Sequence, residues 1–229
     1  MSAGMQEDSG AVDVDVAGET LLLLPERAAA WPAMRTMIVA DWHLGKAAVF
    51  GSRGLAIPDG DTTRDFETLG RLIARHAPER LLVLGDLMHA PPRPGDDWPQ
   101  QLAAWLAGFP GLEFSVVAGN HDRVPASALP AGLDARIRWY DDHLDEGPFR
   151  FAHEPEAADG RYVLAGHLHP TRRLVMGADR VRAPAFWFRD HWAVLPAYGG
   201  FTGGMNIKPE RGDRVFVTGP DAVVEVTGA

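Results

Sequence analysis

Apolar and polar positions alternate strictly over 12–16 (Val-Asp-Val-Asp-Val), which predicts a strand with one buried face. Thr20 to Leu24 is a second apolar run, and Gly18-Glu19 before it predicts a hairpin. Thr36 to Ala40, Arg80 to Leu84 and Phe114 to Ala118 are short runs rich in strand formers, and each gives way to a polar cluster. Between Asp61 and His76 the positions Phe66, Leu69, Leu72 and Ile73 recur at helical spacing. Asp59 or Asp61 can cap that helix and Pro78 stops it. Leu102, Trp105 and Leu106 mark a second helix that stops near Gly108-Phe109-Pro110.

Two stretches read as loops: 47–60, with three glycines and a proline, and 90–99, with four prolines. The segment from Val124 to Gly147 carries little pattern, and His143 reads as part of an acidic loop. Phe149 to Ala152 and Tyr162 to Ala165 predict strands that end at His153 and Gly166. From residue 171 onward the chain reads as short strands and glycine turns: Phe186 to Phe188, Trp192 to Leu195, Val215 to Thr218 and Val223 to Val226. Strands, then strand–helix alternation, then strands again imply an α/β fold of two mixed sheets flanked by helices, a four-layer α/β/β/α sandwich. No repeat, linker or boundary divides residues 11–229, which predicts one domain behind a disordered polar tail at 1–10.

Composition narrows the function classes. Hydrophobic residues make up 46% of the 229, enough for a sizeable core, and no apolar run approaches the length of a membrane span. The N-terminus lacks the basic and apolar regions of a signal peptide. The absence of cysteine removes disulfides, thiolate metal sites and cysteine nucleophiles, and fits a cytoplasmic protein. A formal net charge of −9 argues against wrapping nucleic acid with the whole surface. It leaves room for phosphodiester chemistry at one spot, where bound cations would reverse the local sign.

Five polar clusters carry the candidate chemistry: Asp41-Trp42-His43, Gly85-Asp86, Gly119-Asn120-His121-Asp122, His153, and Gly166-His167-Leu168-His169. Strand C-terminal ends are where an α/β sheet presents its ligands. Hard carboxylate oxygens mixed with imidazole nitrogens, without sulfur, suit manganese, iron or zinc better than calcium. Asp41 and His43, at i and i+2, can aim at one ion. Asp86 can lend one oxygen to each of two ions, and Asn120 can ligate through its side-chain oxygen. His121 then lies beside the ions as a general acid, with Asp122 placed to accept from its far ring nitrogen. His153 supplies a further ligand, with His143 as its rival, whereas His76, His89 and His191 read as capping, loop or partly buried residues.

This ordered set, D-x-H, G-D, G-N-H-D, H and G-H-x-H, resembles the calcineurin-like metallophosphoesterases across Asp41 to His169. Further resemblance, in Ala40 to Lys46, His153-Glu154-Pro155, Gly166 to Pro170 and Leu195 to Gly204, is to the ligase-associated DNA damage response endonucleases. The resemblance implies one ion held by Asp41, His43 and His169, a second by Asn120, His153 and His167, and Asp86 bridging them. It implies two divalent ions, manganese first, with attack by a metal-bridging hydroxide and His121 as proton donor. It also implies a phosphodiester substrate, DNA foremost, and association with a DNA ligase or helicase system.

Lys46, Arg53, Arg172 and Arg173 flank the clusters and are candidate phosphate contacts, against a plain reading as solvated surface charge. Trp42 reads as a core residue and Phe186-Trp187-Phe188 as a strand wall. The alternatives to a nuclease are a small-molecule nucleotide phosphodiesterase or phosphatase, and a non-catalytic protein-binding module on the same fold. The sequence does not decide between a monomer and a homodimer.

Overall fold

The computed structural model describes residues 10–51, 61–123, 129–176, 179–200 and 202–226. The predicted tail, apart from Gly10, and Arg53 lie outside them. Seven strands form the first sheet in chain order: β1 (Val12–Val16), β2 (Glu19–Leu23), β3 (Ala29–Trp31), β4 (Thr36–Ala40), β5 (Arg80–Leu84), β6 (Glu113–Val117) and β7 (Ile137–Tyr140). Pairing is antiparallel from β1 to β4 and parallel from β4 to β7. The parallel half is connected through helices α1 (Lys46–Gly51), α2 (Asp61–His76), α3 (Trp98–Ala107) and α4 (Ala131–Asp134).

The second sheet contains β8 (His143–Glu146), β9 (Phe149–Ala152), β10 (Tyr162–Ala165), β11 (Pro170–Met176), β12 (Asp179–Phe188), β13 (Trp192–Val194) and β14 (Met205–Asn206), in the order β14-β11-β12-β13-β10-β9-β8. Strand β15 (Arg214–Thr218) joins β12, and β16 (Val223–Glu225) joins β15.

Strand alternation explains the layers. In β4 and β5, Met37, Val39, Leu81 and Val83 face a cluster with Phe66, Leu69 and Leu72 of α2 and Leu102 and Leu106 of α3. Their neighbours Ile38, Ala40, Leu82 and Leu84 face the opposite way and pack between the sheets against Phe149, Phe151, Phe186 and Phe216. Both faces are covered, so these strands read as continuous apolar runs. Trp42 packs in the helix-side cluster, edge-on to Phe66 at 5.1 Å and to Tyr198 at 5.6 Å.

The outer face of the second sheet carries a smaller cluster with Trp187, Ile207, Val215 and Val217, and no described helix residue belongs to it. Trp187 meets Trp192 edge-on at 5.0 Å and donates its indole N–H to Asp213 at 2.8 Å, so aromatic packing and a returning loop cover this face. Phe186 and Phe188 point to the inner core, which makes Phe186-Trp187-Phe188 a strand wall with alternating faces.

Two loop expectations are corrected, and one unpatterned stretch acquires structure. Lys46–Gly51 is helical, because Ala47, Ala48 and the residues around them are adequate helix formers before the glycines begin. The weakly patterned 124–147 region contains α4, β7 and β8. His143 therefore opens a strand instead of sitting in a loop. No helix among the described residues is long and apolar enough to cross a membrane.

Candidate metal centre

The C-terminal ends of β4, β5 and β6 meet those of β9 and β10, and the polar clusters converge there. The two leading loops run alongside each other. Asp41 N–H donates to Gly85 O at 3.2 Å, His43 N–H to Asp86 O at 2.8 Å, and Leu44 N–H to Leu87 O at 2.8 Å. Five candidate ligands sit in the left-handed backbone region: Asp41 (φ 51), His43 (φ 54), Asp86 (φ 48), His167 (φ 69) and His169 (φ 45). Such backbone costs on the order of 1–3 kcal/mol per residue and persists where the surroundings enforce it, typically at functional sites. A Cβ on Gly85, itself at φ 72, would fall 1.8 Å from His153 Nδ1. One on Gly119 would fall 2.3 Å from Asp86 Oδ1, so these glycines let the ligand loops close together.

The donors fall into two groups that two carboxylates, Asp86 and Asp41, bring together, Asp41 Oδ1 also lying 3.7 Å from His153 Nδ1. In the first, His43 Nε2 lies 3.3 Å from His169 Nε2, and His169 Nε2 lies 3.6 Å from Asp41 Oδ1. In the second, His153 Nε2 lies 2.9 Å from both Asn120 Oδ1 and His167 Nδ1. Asp86 faces both, with Oδ2 3.7 Å from His43 Nε2 and Oδ1 3.7 Å from His153 Nε2. Donors bound at about 2.0–2.2 Å to a common ion stand roughly 3–3.5 Å apart, the spacing seen here. One imidazole proton at His153 Nε2 cannot satisfy two neighbours, whereas a shared cation would satisfy every donor in the group. The residues present fit a pair of divalent ions.

Outer contacts orient the ligands. His169 Nδ1–H donates to Gly203 O at 3.0 Å, which leaves Nε2 as the inward lone pair. Both oxygens of Asp41 accept the His167 backbone N–H, at 3.1 and 2.8 Å. His43 Nδ1 is buried without a hydrogen-bond partner among the described residues, and its ring is held by edge-on contacts with His121 at 5.2 Å and His169 at 5.1 Å.

Without a cation the cluster is electrostatically unbalanced. Burial pushes the carboxyls of Asp41 and Asp86 above the usual carboxylate range. Burial, followed by the neighbouring His169 and Lys46, brings His43 down to about 2, so it stays neutral and available as a ligand. Burial also lowers His153. It acts the same way on His169, but the hydrogen bond and charge of Asp41 outweigh it and the net shift is upward. Raised acids beside lowered imidazoles are what a site built around positive charge shows when only its own side chains are present.

His121 and Asp122 divide differently from the sequence expectation. Asp122 accepts three backbone N–H groups, from Leu87 at 3.1 Å, Met88 at 3.1 Å and Gly119 at 2.9 Å. Its oxygens are thereby committed to stitching the Asp86 loop to the Gly119 loop, and they do not orient the His121 ring. The His89 carbonyl does so, accepting from His121 Nδ1–H at 2.6 Å. His121 also donates its backbone N–H to Asp86 Oδ1 at 2.9 Å.

His89, set aside in the sequence as a loop residue, is a site residue. Its ring stacks on His121 at 5.1 Å and meets His43 at 5.5 Å, and a nitrogen from each of the three falls within 4.8 Å of the others. Its place three residues after Asp86 was the available signal.

The flanking cations are spread out. Lys46 is half-buried beside the first donor group, lowered by burial while Asp41 and Asp86 pull the other way. Arg172 and Arg173 lie on β11, which starts directly after His169 and leads away from the donors. His143 is exposed, 3.9 Å from Asp145, and is not among the converging donors. A cleft of about 400 Å³ opens beside Asn120 and His153 and is lined also by Arg123, Arg150 and Glu154.

Comparison with known proteins bears on the family and the fold. The calcineurin-like phosphoesterase family profile matches residues 34–224. The chain is similar to the solved structure of Pseudomonas putida nuclease MPE, at 34% identity and a TM-score of 0.80, covering 93% of this chain and 100% of that one. A phosphoesterase from E. coli, Yfce, aligns at 12% identity and a TM-score of 0.40 over 83% of this chain and 97% of its own, too remote to carry an argument. No curated protein matches the chain.

Proposed function

The chain belongs to the calcineurin-like phosphoesterase family and is a metal-dependent phosphoesterase, and from that premise we propose that it is a dinuclear phosphodiesterase that cleaves nucleic acid. The observation that carries the two-ion reading is Asp86, whose two oxygens each face a different donor group at 3.7 Å. Asp41, His43 and His169 would hold one ion, Asn120, His153 and His167 the other, and Asp86 both. Manganese is the first candidate, with iron and zinc as alternatives, because the donors mix carboxylate, carboxamide and imidazole without sulfur. Bound there, such a pair supplies Lewis-acid charge at the phosphate and acidifies a water for attack on phosphorus.

The chain's own residues do the remaining work. The His89 carbonyl accepts Nδ1–H of His121, so as an imidazolium the ring would give its Nε2 proton to the leaving oxygen and remain neutral with Nδ1–H still held. Asp122 keeps the Gly119–His121 loop against the Asp86 loop through its three backbone bonds. Lys46, half-buried near Asp41 and Asp86, would offset charge on the phosphate.

The likeness to a nuclease supports a polymeric substrate, and the resemblance to ligase-associated endonucleases supports DNA and a task beside a ligase or helicase. A second reading, hydrolysis of a small nucleotide ester, is favoured by the cleft beside Asn120 and His153, whose size suits a small ligand. A manganese-loaded panel separates the two: a generic phosphodiester, a phosphomonoester, cyclic nucleotides, and single- and double-stranded DNA. The proposal predicts diester and DNA cleavage that requires the divalent ion. Hydrolysis of monoesters and cyclic nucleotides alone would support the second reading, and no hydrolysis of any ester with any divalent ion would overturn both.

A further inference from the structure

The described arginines differ in whether an acid lies against them. Many are neutralised on the surface: Arg35 by Glu79, Arg75 by Glu26, Arg80 by Glu146, Arg150 and Arg161 by Asp145, Arg189 by Glu210 and Asp213, and Arg214 by Glu225. Arg172, Arg173, Arg180 and Arg182 on the β11–β12 ribbon have no such acidic partner among the described residues. The ribbon strands themselves contain one acid, Asp179. In a chain of net charge −9, four unneutralised guanidinium groups on one two-stranded element form a local reversal of sign.

The register places three of them on one face. β11 and β12 are antiparallel, with Arg173 opposite Arg182 and Val175 opposite Arg180. Directly opposed residues share a face, and residues two apart along a strand share it too. Arg173, Arg180 and Arg182 are therefore on one side, together with Val175, which is 75% exposed and the most exposed large hydrophobic among the described residues. The other side is anchored, because Leu174 and Ala183 pack on the outer cluster of the second sheet. Like charges directly opposed across a ladder repel, so the Arg173–Arg182 pair is tolerated at a cost that a bound anion would remove.

The arginine face leads into the candidate metal centre. β11 begins one residue after His169. Arg182 reaches across β11 and donates to Gly204 O at 3.4 Å, next to the Gly203 carbonyl that holds the His169 ring. Successive same-face positions on a strand are about 6.6 Å apart, a spacing comparable to that of phosphates along an extended polynucleotide. An exposed apolar side chain between the arginines gives a base something to lie against.

We propose that the β11–β12 ribbon is a polynucleotide-binding arm: Arg173, Arg180 and Arg182 bind backbone phosphates beyond the scissile one and lead the strand to the donor cluster. This deepens the nucleic-acid reading above and rests on it for the identity of the chemistry at the cluster. It also accounts for how an acidic protein can engage a polyanion, since attraction is concentrated on one element while the rest of the surface repels.

The test uses the full chain, an Arg180→Glu/Arg182→Glu variant, and an Arg136→Glu/Arg138→Glu control with the same charge change on and beside β7, at the far edge of the first sheet. Binding of a fluorescein-labelled oligonucleotide of about thirty nucleotides is read by anisotropy in EDTA, so that turnover plays no part. Hydrolysis of bis-p-nitrophenyl phosphate, a diester too small to reach the ribbon, is read with manganese and reports an intact fold. The ribbon variant is expected to bind the oligonucleotide about tenfold more weakly, with a log–log salt dependence shallower by ~1.4 for two lost phosphate contacts. Its small-diester rate stays within about twofold of wild type, and the control changes neither reading.

Oligonucleotide binding by the ribbon variant within twofold of wild type, or an equal loss in the control, overturns the proposal. If the wild type hydrolyses no diester but the ribbon variant alone loses binding, the arm stands and the phosphodiesterase reading falls.

Discussion

The donor cluster and the β11–β12 ribbon place charge in opposite ways. In the cluster, Asp41 and Asp86 are 0% and 3% exposed, and five candidate ligands hold left-handed backbone. On the ribbon, Arg173, Arg180 and Arg182 are exposed on regular antiparallel strands. Buried acids push their own pKa upward and need a cation to be content as anions. Exposed guanidinium groups keep their charge whatever binds, and act through a salt-screened field. The cluster is therefore built for fixed geometry at one phosphate, and the ribbon for loose attraction along many. Losses at the cluster should be large and insensitive to substrate length, and losses on the ribbon should be modest and length-dependent.

The largest expected effect is at Asp86. Asp86→Ala removes the carboxylate whose two oxygens face different donor groups, so the variant should lose bound metal, measured by elemental analysis after dialysis, and all detectable turnover. Retention of full metal content would break the bridging assignment. Next is His121→Asn, which should keep its metal while kcat falls by ~10²–10⁴-fold, the usual range for one acid–base group. An unchanged kcat would remove His121 from the chemistry.

Asp122→Ala comes third. It strands three buried backbone N–H groups, and denaturant titration should show a stability loss of about 3 kcal/mol. If Asp122 instead oriented the His121 ring, the loss would appear in kcat with stability unchanged.

The smallest effect is on pH dependence. Asp41 and Asp86 are raised above the ordinary carboxylate value, so the metal-free folded state binds protons more tightly than the unfolded chain does. Their contribution to metal-free stability therefore falls as pH rises through the raised values. His169, also raised, acts in the same direction. His43 is lowered, and its contribution is lost as pH falls below the ordinary imidazole value, but it stays neutral with or without metal and cancels from the difference. The gain in Tm on adding manganese to EDTA-treated protein should thus grow from about pH 5 to about pH 7.5. A gain independent of pH would mean that these acids do not contact the ions.

The same contrast shows what could be read from residues alone. β4, β5, β9, β10 and α2 stand where the apolar patterns put them, because strands covered on both faces and a helix with one apolar stripe leave strong local signals. The seven donor positions were visible because Asp, Asn and His recur after strand ends, and the structure brings all seven together. β11 was not among the strands the pattern named: Pro170-Thr171-Arg172-Arg173 carries no apolar run, and its pairing rests on the non-local partner β12. The places of His89 and Asp122 were hidden for a different reason. They depend on backbone carbonyl and N–H groups, which spacing does not reveal.

The most direct test is anomalous diffraction at the manganese edge from crystals grown with manganese. Two peaks roughly 3.5–4 Å apart are expected, one among Asp41, His43 and His169, the other among Asn120, His153 and His167, with Asp86 touching both. A single peak, or peaks away from Asp86, would contradict the account.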